Sequence, residues 1–217
     1  MPDAIETTLA QALEESTAMG EIVIQRSNAT AFIISHREDA GRHDLESFRK
    51  AEDAIEIARH DQFGKYRPLK TAPTLRRGWR LEVADVGELR RALDHFYPGR
   101  LAILSAKAQS RLTTTPLRET LNRQSGMYRV AAKISDQQIS KVVGKLCKSN
   151  GGCLRTILWK RDTSGAVPST MLPNEKFDPA CDQTGHGEPA IPLLCQEACN
   201  LLVAECRSAV KTDANEP

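Results

Sequence analysis

The chain has 217 residues, a formal net charge of +2 and 40% hydrophobic residues. A net charge this close to zero excludes a general electrostatic attraction to nucleic acid or membrane surfaces, so any such binding would need a local patch. The apolar runs are far shorter than the roughly 20 residues that span a bilayer, and the acidic start lacks the pattern of a secretory signal. We therefore expect a cytoplasmic protein without a membrane segment.

The first part of the chain is predicted to form a small α-β-β-α unit. Helical spacing of apolar residues indicates a helix over residues 3–19, which Gly20 is expected to end. Two β-prone segments within residues 21–35 predict a hairpin. Asp44 is then expected to cap a second helix that continues to about His60. The helices must cover the hairpin, because an isolated hairpin is only marginally stable in water.

The rest of the chain is predicted to be mainly helical, so the fold class expected for the whole is α+β. A brief alternation of Trp79, Leu81 and Val83 precedes the helices. The helices are expected at these places: from Asp85 to about Phe96, over Leu101–Ala108, from Ser135 or Asp136 to Leu146, and from Pro192 to about Val210. The predicted domains are residues 1–74 with a basic connector, residues 75–210, and a disordered tail at residues 211–217.

All six cysteines follow residue 146. In a reducing compartment such cysteines are more typical of metal binding or redox chemistry than of disulfides. One pair, Cys147 and Cys153, encloses two glycines that allow a tight bend. The i,i+4 spacing of the other pair, Cys195 and Cys199, would place both thiols on one helical face. These four cysteines are therefore the candidate metal ligands.

Two alternative kinds of metal centre are bound by four thiolates. A [4Fe-4S] cluster takes four cysteine sulfurs, and structural zinc does so as well, most often through C-x₂-C knuckles that neither pair forms. The spacing therefore favours a cluster and leaves zinc, or ordinary buried cysteines, open. A helix starting near Pro192 would add free N–H groups that favour an anionic cluster.

The remaining two cysteines are expected not to bind metal. Cys206 is seven residues after Cys199 on the same predicted helical face, and it is interpreted as a small buried apolar residue. Cys181 is followed five residues later by His186 and could join a zinc site. The preferred interpretation gives Cys181 no ligand role.

Several runs of sequence resemble the C-terminal iron-sulfur region of a multidomain sirohydrochlorin cobaltochelatase-like family. The runs are residues 66–79, 122–129, 152–159 and 191–202. The resemblance implies a [4Fe-4S] cluster held by Cys147, Cys153, Cys195 and Cys199. It also implies an accessory or electron-transfer role in tetrapyrrole chelation of the cobalamin or sirohaem type. The alternative is a zinc-stabilised interaction or nucleic-acid-binding module.

The resemblance does not extend to the chelatase domains that members of this family carry in front of the cluster region. We expect no such domain here, and no histidine pair is placed to present a metal to a tetrapyrrole. No P-loop, dinucleotide-binding or nucleophile-elbow motif is visible either. The sequence therefore predicts no catalytic residue, and the expected partner is a chelatase or another protein of the tetrapyrrole pathway.

Arg155 follows Cys153 by two residues. We expect it to donate hydrogen bonds or positive charge to the cluster and so to shift its reduction potential. An ion pair with a surface carboxylate is the equal alternative.

Residues 64–80 form a basic connector with six basic residues and no acidic ones. Its possible anion-binding residues are Arg67, Lys70, Arg76, Arg77 and Arg80, preceded by Lys65. They could bind an anionic tetrapyrrole or an acidic partner protein. The preferred interpretation is a solvated linker that pairs with Glu82, Asp85 and Glu88. Nucleic acid is disfavoured because few aromatic residues interleave.

Overall fold

The computed structural model describes residues 3–61, 63–65, 74–112, 121–122, 127–146, 156–157, 190–195 and 198–213. The chain divides into two compact units. Met1–Arg111 and Pro179–Leu193 form the first, here called the sheet unit. Leu112–Asp178 and Leu194–Pro217 form the second, the helical unit.

The sheet unit combines helices and strands. In chain order they are α1 (Ala4–Glu15), β1 (Ala18–Met19), β2 (Ile22–Arg26), β3 (Phe32–His36), a 3₁₀ helix (Arg37–Asp39), β4 (Glu46–Phe48), α2 (Asp53–Ala58), β5 (Trp79–Val83), α3 (Val86–Phe96) and α4 (Arg100–Ala108).

The described part of the helical unit has fewer elements. They are α5 (Met127–Ala131), α6 (Asp136–Leu146), β6 (Thr156–Ile157), β7 (Leu194–Cys195) and α7 (Asn200–Asp213). Both halves therefore contain helices and strands, which confirms the α+β class. No helix within the described ranges is long and apolar enough to cross a membrane.

A five-stranded sheet in the order β1-β2-β3-β5-β4 forms the centre of the sheet unit. The predicted hairpin is confirmed: β2 and β3 are antiparallel, with Ile24 opposite Ile34. Alternate residues of the strands are buried, as expected for a sheet with one covered face. Trp79 and Leu81 of β5 belong to this buried face, and Trp79 stacks on Phe96 of α3 with ring centroids 5.2 Å apart.

The predicted end of the first helix is wrong. A capping box between Asp3 and Glu6 starts α1, as the early carboxylates suggest, but the helix ends at Glu15. Ala18 and Met19 instead pair with β2, and both are buried. Gly20, with φ of 57°, turns the chain from β1 into β2 rather than ending a helix.

The predicted helix from Asp44 to about His60 is also wrong. Residues 46–48 form β4, an edge strand that runs parallel to β5, and only Asp53–Ala58 are helical. Asp44 forms an ion pair with Arg42, at 2.8 Å. The helical spacing of the apolar residues gave the wrong prediction because residues 46–48 pair with a strand about 30 residues further along the chain. Local spacing carries no information on such a pairing.

The five-stranded sheet also bears on the predicted domains. The predicted boundary at residue 74 lies inside the sheet unit, because β5 pairs with both β3 and β4. The hairpin of the predicted α-β-β-α unit is thus part of a larger, five-stranded sheet. At the other end, α7 continues to Asp213, so the first residues of the predicted tail are helical. Residues 214–217 lie outside the described residues.

The helices after β5 follow the sequence closely. Asp85 caps α3, its carboxylate accepting the Glu88 N–H at 2.8 Å. Helix α4 begins one residue before the predicted Leu101. In the helical unit Ser135 is the cap of α6, because its hydroxyl accepts the Gln138 N–H and the Gln138 side chain accepts the Ser135 N–H.

The core of the helical unit packs α5 and α6 against α7. Its buried members are Leu121, Ala131, Ile134, Ile139, Leu202, Val203 and Cys206. Strands β6 and β7 form a separate parallel pair, with Ile157 opposite Cys195.

The helix predicted from Pro192 is wrong at its start, since α7 begins only at Asn200. Ile191, Leu193 and Leu194 are all buried. A short run that is apolar at nearly every position fits a fully buried extended segment as well as a helix, and periodicity cannot separate the two. Pairing of Leu194 with Thr156 makes the segment extended.

Gly20 offers a test of the sheet unit's packing. A Cβ at this position would lie 2.6 Å from Tyr97 Oη and 2.8 Å from Leu193 Cδ1, in a backbone conformation with φ of 57°. We expect Gly20→Ala to lower the free energy of unfolding by about 2–5 kcal/mol, from left-handed strain and overpacking together. Urea unfolding measures this loss.

Gly41→Ala is the matched control. Gly41 also has a positive φ, of 80°, but a Cβ added there would meet no atom within 4 Å. It should lose only about 1–2 kcal/mol, from the backbone strain alone. Equal losses in the two variants would show that the Tyr97 and Leu193 contacts do not restrict position 20.

Candidate metal centre

Cys195 lies at the end of the buried strand β7. Its side chain is 5% exposed, and its backbone pairs with Ile157 of β6. The strand, rather than a helix, positions this thiol. The predicted placement of Cys195 and Cys199 on one helical face is therefore wrong.

Cys199 is the residue directly before α7, and it caps this helix. Its Sγ accepts the Leu202 N–H at 3.5 Å, and its carbonyl accepts the Val203 N–H at 3.0 Å. The sulfur therefore lies at the positive end of the helix dipole, which favours negative charge. The helix N-terminus, with the positive end of the dipole, was expected near Pro192 but lies at Cys199.

Cys206 is fully buried in the core of the helical unit, two helical turns after Cys199. Burial raises the pKa of its thiol to about 12, and the charges of Glu205 and Cys199 act in the same direction. The thiol is therefore protonated at neutral pH. This agrees with the interpretation of Cys206 as a small buried apolar residue.

The other predicted site residues lie outside the described residues. They are Cys147, Cys153, Arg155, Cys181, Arg67 and Lys70. Among the residues that are described, no group of three or more His, Cys, Asp or Glu side chains could hold a metal ion.

The neighbours of the first cysteine pair are nevertheless described. Leu146, which directly precedes Cys147, packs against the same core cluster as Cys199. Thr156, three residues after Cys153, begins the strand that pairs with β7. The chain on either side of the first pair is therefore anchored by the elements that carry the second pair.

The described cysteines suit an iron-sulfur cluster. Cys195 is buried, and Cys199, which is partly buried, packs against an apolar core while its sulfur accepts an N–H of the first turn of a helix. One buried sulfur donor and one at the positive end of a helix dipole suit an anionic cluster with thiolate ligands.

The arginines of the basic connector that the structure describes all pair with carboxylates. Arg76 Nη2 is 2.9 Å from Glu46 Oε2, Arg77 Nη2 is 2.5 Å from Glu38 Oε2, and Arg80 Nη2 is 3.0 Å from Glu82 Oε1.

The Arg80–Glu82 pair was expected. Asp85 and Glu88 instead serve the start of α3. The ion pairs of Arg76, Arg77 and Arg80 support the interpretation that these charges are structural or solvated. Anion binding by the connector stays a prediction.

A cluster of polar groups at the end of β3 and in the following 3₁₀ helix was not predicted from the sequence. His36 is 3% exposed; its Nδ1 accepts the Glu38 N–H at 3.1 Å, and its Nε2 lies 3.9 Å from Glu21 Oε2. The buried carboxylate of Asp39 accepts hydrogen bonds from Gly78 N–H at 2.6 Å and from Arg42 at 2.9 Å. No local pattern signals the contacts of His36 with Glu21 and of Asp39 with Gly78, because these residues come from separate parts of the chain.

His36 should make the stability of the protein pH-dependent. Burial lowers the pKa of His36 below its ordinary value of 6.5, although Asp39 and Glu38 oppose the shift. The unfolded chain then binds a proton first as the pH falls. The stabilisation is present above about pH 6.5 and is lost as the pH falls from there towards the folded-state pKa.

His36→Asn tests this, because asparagine keeps an acceptor for the Glu38 N–H but does not titrate. Between about pH 7 and pH 5, the variant's free energy of unfolding should fall less steeply than that of the wild type. Urea unfolding across this range gives the two slopes. Equal slopes would remove His36 as the source of the pH dependence.

Comparison with known proteins agrees with this site. Residues 109–208 match the family model of a 4Fe-4S iron-sulfur cluster binding domain. Both cysteine pairs lie within this match. The chain is thus an iron-sulfur protein whose cofactor is a [4Fe-4S] cluster, which decides between the two metal centres that the spacing left open.

The N-terminal part matches a second family model. Residues 4–107 match the model of the DR2241 stabilising domain. The chain is also similar to the crystal structure of DR2241 from Deinococcus radiodurans, a multi-domain protein with structural similarity to chelatases and two additional novel domains. The TM-score is 0.69 at 28% sequence identity. The predicted resemblance to chelatase-like proteins is confirmed.

The chain corresponds to only part of that protein. The alignment covers 96% of this chain and 41% of the DR2241 chain. The comparison with curated proteins finds no match.

Proposed function

We propose that Cys147, Cys153, Cys195 and Cys199 hold the [4Fe-4S] cluster. The observation that carries this proposal is the match of residues 109–208 to a cluster-binding family, because four ligands must be found within this region. The burial of Cys195 and the helix cap at Cys199 support the second pair. Cys206, the nearest competitor, is fully enclosed in the apolar core of the helical unit.

We further propose an accessory or electron-transfer role in metal insertion into a tetrapyrrole of the cobalamin or sirohaem type. A [4Fe-4S] cluster supplies one-electron transfer at a potential that its surroundings set. In this chain the Leu202 N–H stabilises negative charge on Cys199 Sγ, and the packed core next to Cys199 keeps water away. Arg155, two residues after Cys153, is proposed to add positive charge.

The likeness to DR2241 supports a chelatase as the partner. That protein has structural similarity to chelatases, and this chain aligns with 41% of it. A chelatase-type domain on another chain, or elsewhere on the same polypeptide, would then be the natural partner of this chain. A cytoplasmic location belongs to this proposal, because the ligand thiols must stay reduced until iron binds.

The ligand set can be tested by substitution. Cys195→Ser and Cys199→Ser, like the same changes at Cys147 and Cys153, should lower bound iron and acid-labile sulfide by more than about tenfold, since even outer-shell changes often cost that much. The measurement is iron and sulfide content after anaerobic purification. A colourless wild-type protein containing zinc would contradict the cofactor itself.

Cys206→Ala provides the matched control. It lies on the same helix as the Cys199 cap and is fully buried, so it reports any general damage to α7. We expect it, and Cys181→Ser, to retain the wild-type iron and sulfide. Loss of the cluster in either variant would reassign the ligands.

An anionic tetrapyrrole is the proposed ligand of the basic connector. Because Arg76, Arg77 and Arg80 are paired with carboxylates, this role would rest mainly on Arg67 and Lys70. Sirohydrochlorin should bind more weakly as salt rises, and Arg67→Glu with Lys70→Glu should weaken it further without loss of the cluster. Fluorescence titration at low and moderate salt gives both affinities.

The control for this experiment is Arg80→Glu. Its guanidinium already contacts Glu82 and the Ser47 hydroxyl, so its reversal should change binding little. If the affinity for sirohydrochlorin changes neither with salt nor in the Arg67→Glu, Lys70→Glu variant, the connector is a solvated linker and not a binding site.

A further inference from the structure

Arg37 of the sheet unit has two donor atoms without an acceptor. It is the first residue of the 3₁₀ helix that follows β3, and its side chain is partly buried. Its Nε and Nη2 atoms are shielded from solvent, and neither has a hydrogen-bond partner in the part of the chain that the structure describes. Shielding a charged donor from water without an acceptor costs free energy, so such a group calls for an explanation.

The two atoms lie on one edge of the planar guanidinium group. Their N–H bonds are parallel, and this edge can therefore donate to both oxygens of one carboxylate or phosphate group. Arg42 uses the same edge within this chain: its Nε donates to Asp44 Oδ1 at 3.0 Å, and its Nη2 donates to Asp44 Oδ2 at 2.8 Å. Arg37 presents this edge with no such carboxylate among the described residues.

The carboxylates that follow Arg37 in sequence already have other partners. Glu38 pairs with Arg77 at 2.5 Å, and Asp39 pairs with Arg42 at 2.9 Å. Asp39 is only 2% exposed, so breaking its ion pair would leave a buried charge uncompensated at high cost. An acceptor for Arg37 is therefore supplied more readily by a bound molecule than by these two neighbours.

The main chain fixes the base of the Arg37 side chain beside the basic connector. The Arg37 N–H donates to the Glu21 carbonyl at 2.8 Å, and the Glu21 carboxylate accepts the Leu75 N–H at 2.5 Å. Leu75 and Arg77, the partner of Glu38, both belong to the connector. A side chain held at its base loses less entropy when it binds a ligand than one on a free loop does.

We propose that Arg37 binds an oxyanion, the carboxylate or phosphate group of a ligand, through Nε and Nη2 together. The guanidinium is always charged, so it offers the anion both a positive charge and two directed hydrogen bonds. Because the residue is only partly buried, a change of rotamer is enough to bring this edge to a ligand. The proposal depends neither on the cluster ligands nor on Arg67 and Lys70.

Titration of the isotope-labelled holoprotein with acetate, and separately with inorganic phosphate, tests this site. Chloride keeps the ionic strength constant, and the NMR signal to follow is the Arg37 side-chain Nε–H, assigned by its absence from the spectrum of Arg37→Lys. We expect a saturable downfield shift as the hydrogen bond forms, and the anion with the lower dissociation constant shows whether a carboxylate or a phosphate is preferred. No saturable shift with either anion would overturn the proposal.

Two substitutions separate the charge of Arg37 from the shape of its donor edge. Arg37→Met removes both and nearly keeps the length of the side chain, whereas Arg37→Lys keeps the charge and loses the paired donors. Both variants should bind the preferred anion at least about tenfold more weakly than the wild type, as the loss of charge-assisted hydrogen bonds predicts. The rise in thermal unfolding temperature with anion concentration gives the affinities. Wild-type affinity in both variants would contradict the proposal.

Arg91→Met is the matched control. Arg91 lies on α3 of the same unit, and its Nη2 and Nε face carboxylates of this chain, Glu88 Oε1 at 3.3 Å and Glu52 Oε1 at 4.0 Å. The variant loses the same charge as Arg37→Met, but from an edge that is already paired. We expect its anion affinity to stay within about twofold of the wild type. An equal loss in both variants would mean that the overall positive charge, and not Arg37, attracts the anion.

Discussion

The contact of Gly20 with Tyr97 and Leu193 brings together three distant parts of the chain: the first turn of the sheet, the end of α3 and the buried residues around Leu193. Only a residue without a side chain leaves room for the tyrosine ring and the leucine methyl, and only glycine adopts φ of 57° readily. The hydrogen bond between Glu21 N–H and the Tyr97 hydroxyl then fixes the turn. Position 20 is therefore restricted to glycine, and the turn between β1 and β2 is restricted with it.

The cysteines of the second pair occupy very different surroundings despite their close spacing. Cys195 ends a buried strand, and Cys199 caps a helix and packs against an apolar core. Cys206 shows the opposite extreme, a thiol so deeply buried that its pKa rises to about 12. The Cys199 sulfur accepts an N–H at the start of α7, whereas the Cys206 sulfur two turns later is enclosed in the apolar core.

Features governed by neighbouring residues were predictable from the sequence. The Asp85 cap, the hairpin of β2 and β3, and the alternation of Trp79, Leu81 and Val83 all follow from local chemistry. The cluster followed from the cysteines together with the family resemblance. Strand β4 and the extended run into Cys195 did not follow, because partners remote in sequence decide them. The contacts of His36 with Glu21 and of Asp39 with Gly78 were not predictable for the same reason.

Helix α7 begins on a sulfur atom, where most helices begin on the oxygen of Ser, Thr, Asp or Asn. A neutral thiol accepts hydrogen bonds weakly, whereas a metal-bound thiolate accepts them well. With iron bound as we propose, the first turn of α7 gains a strong cap; without it, the turn frays more readily. Chains made during iron shortage would then expose this turn to proteases more often. The lifetime of the protein in the cell would thereby follow the supply of iron.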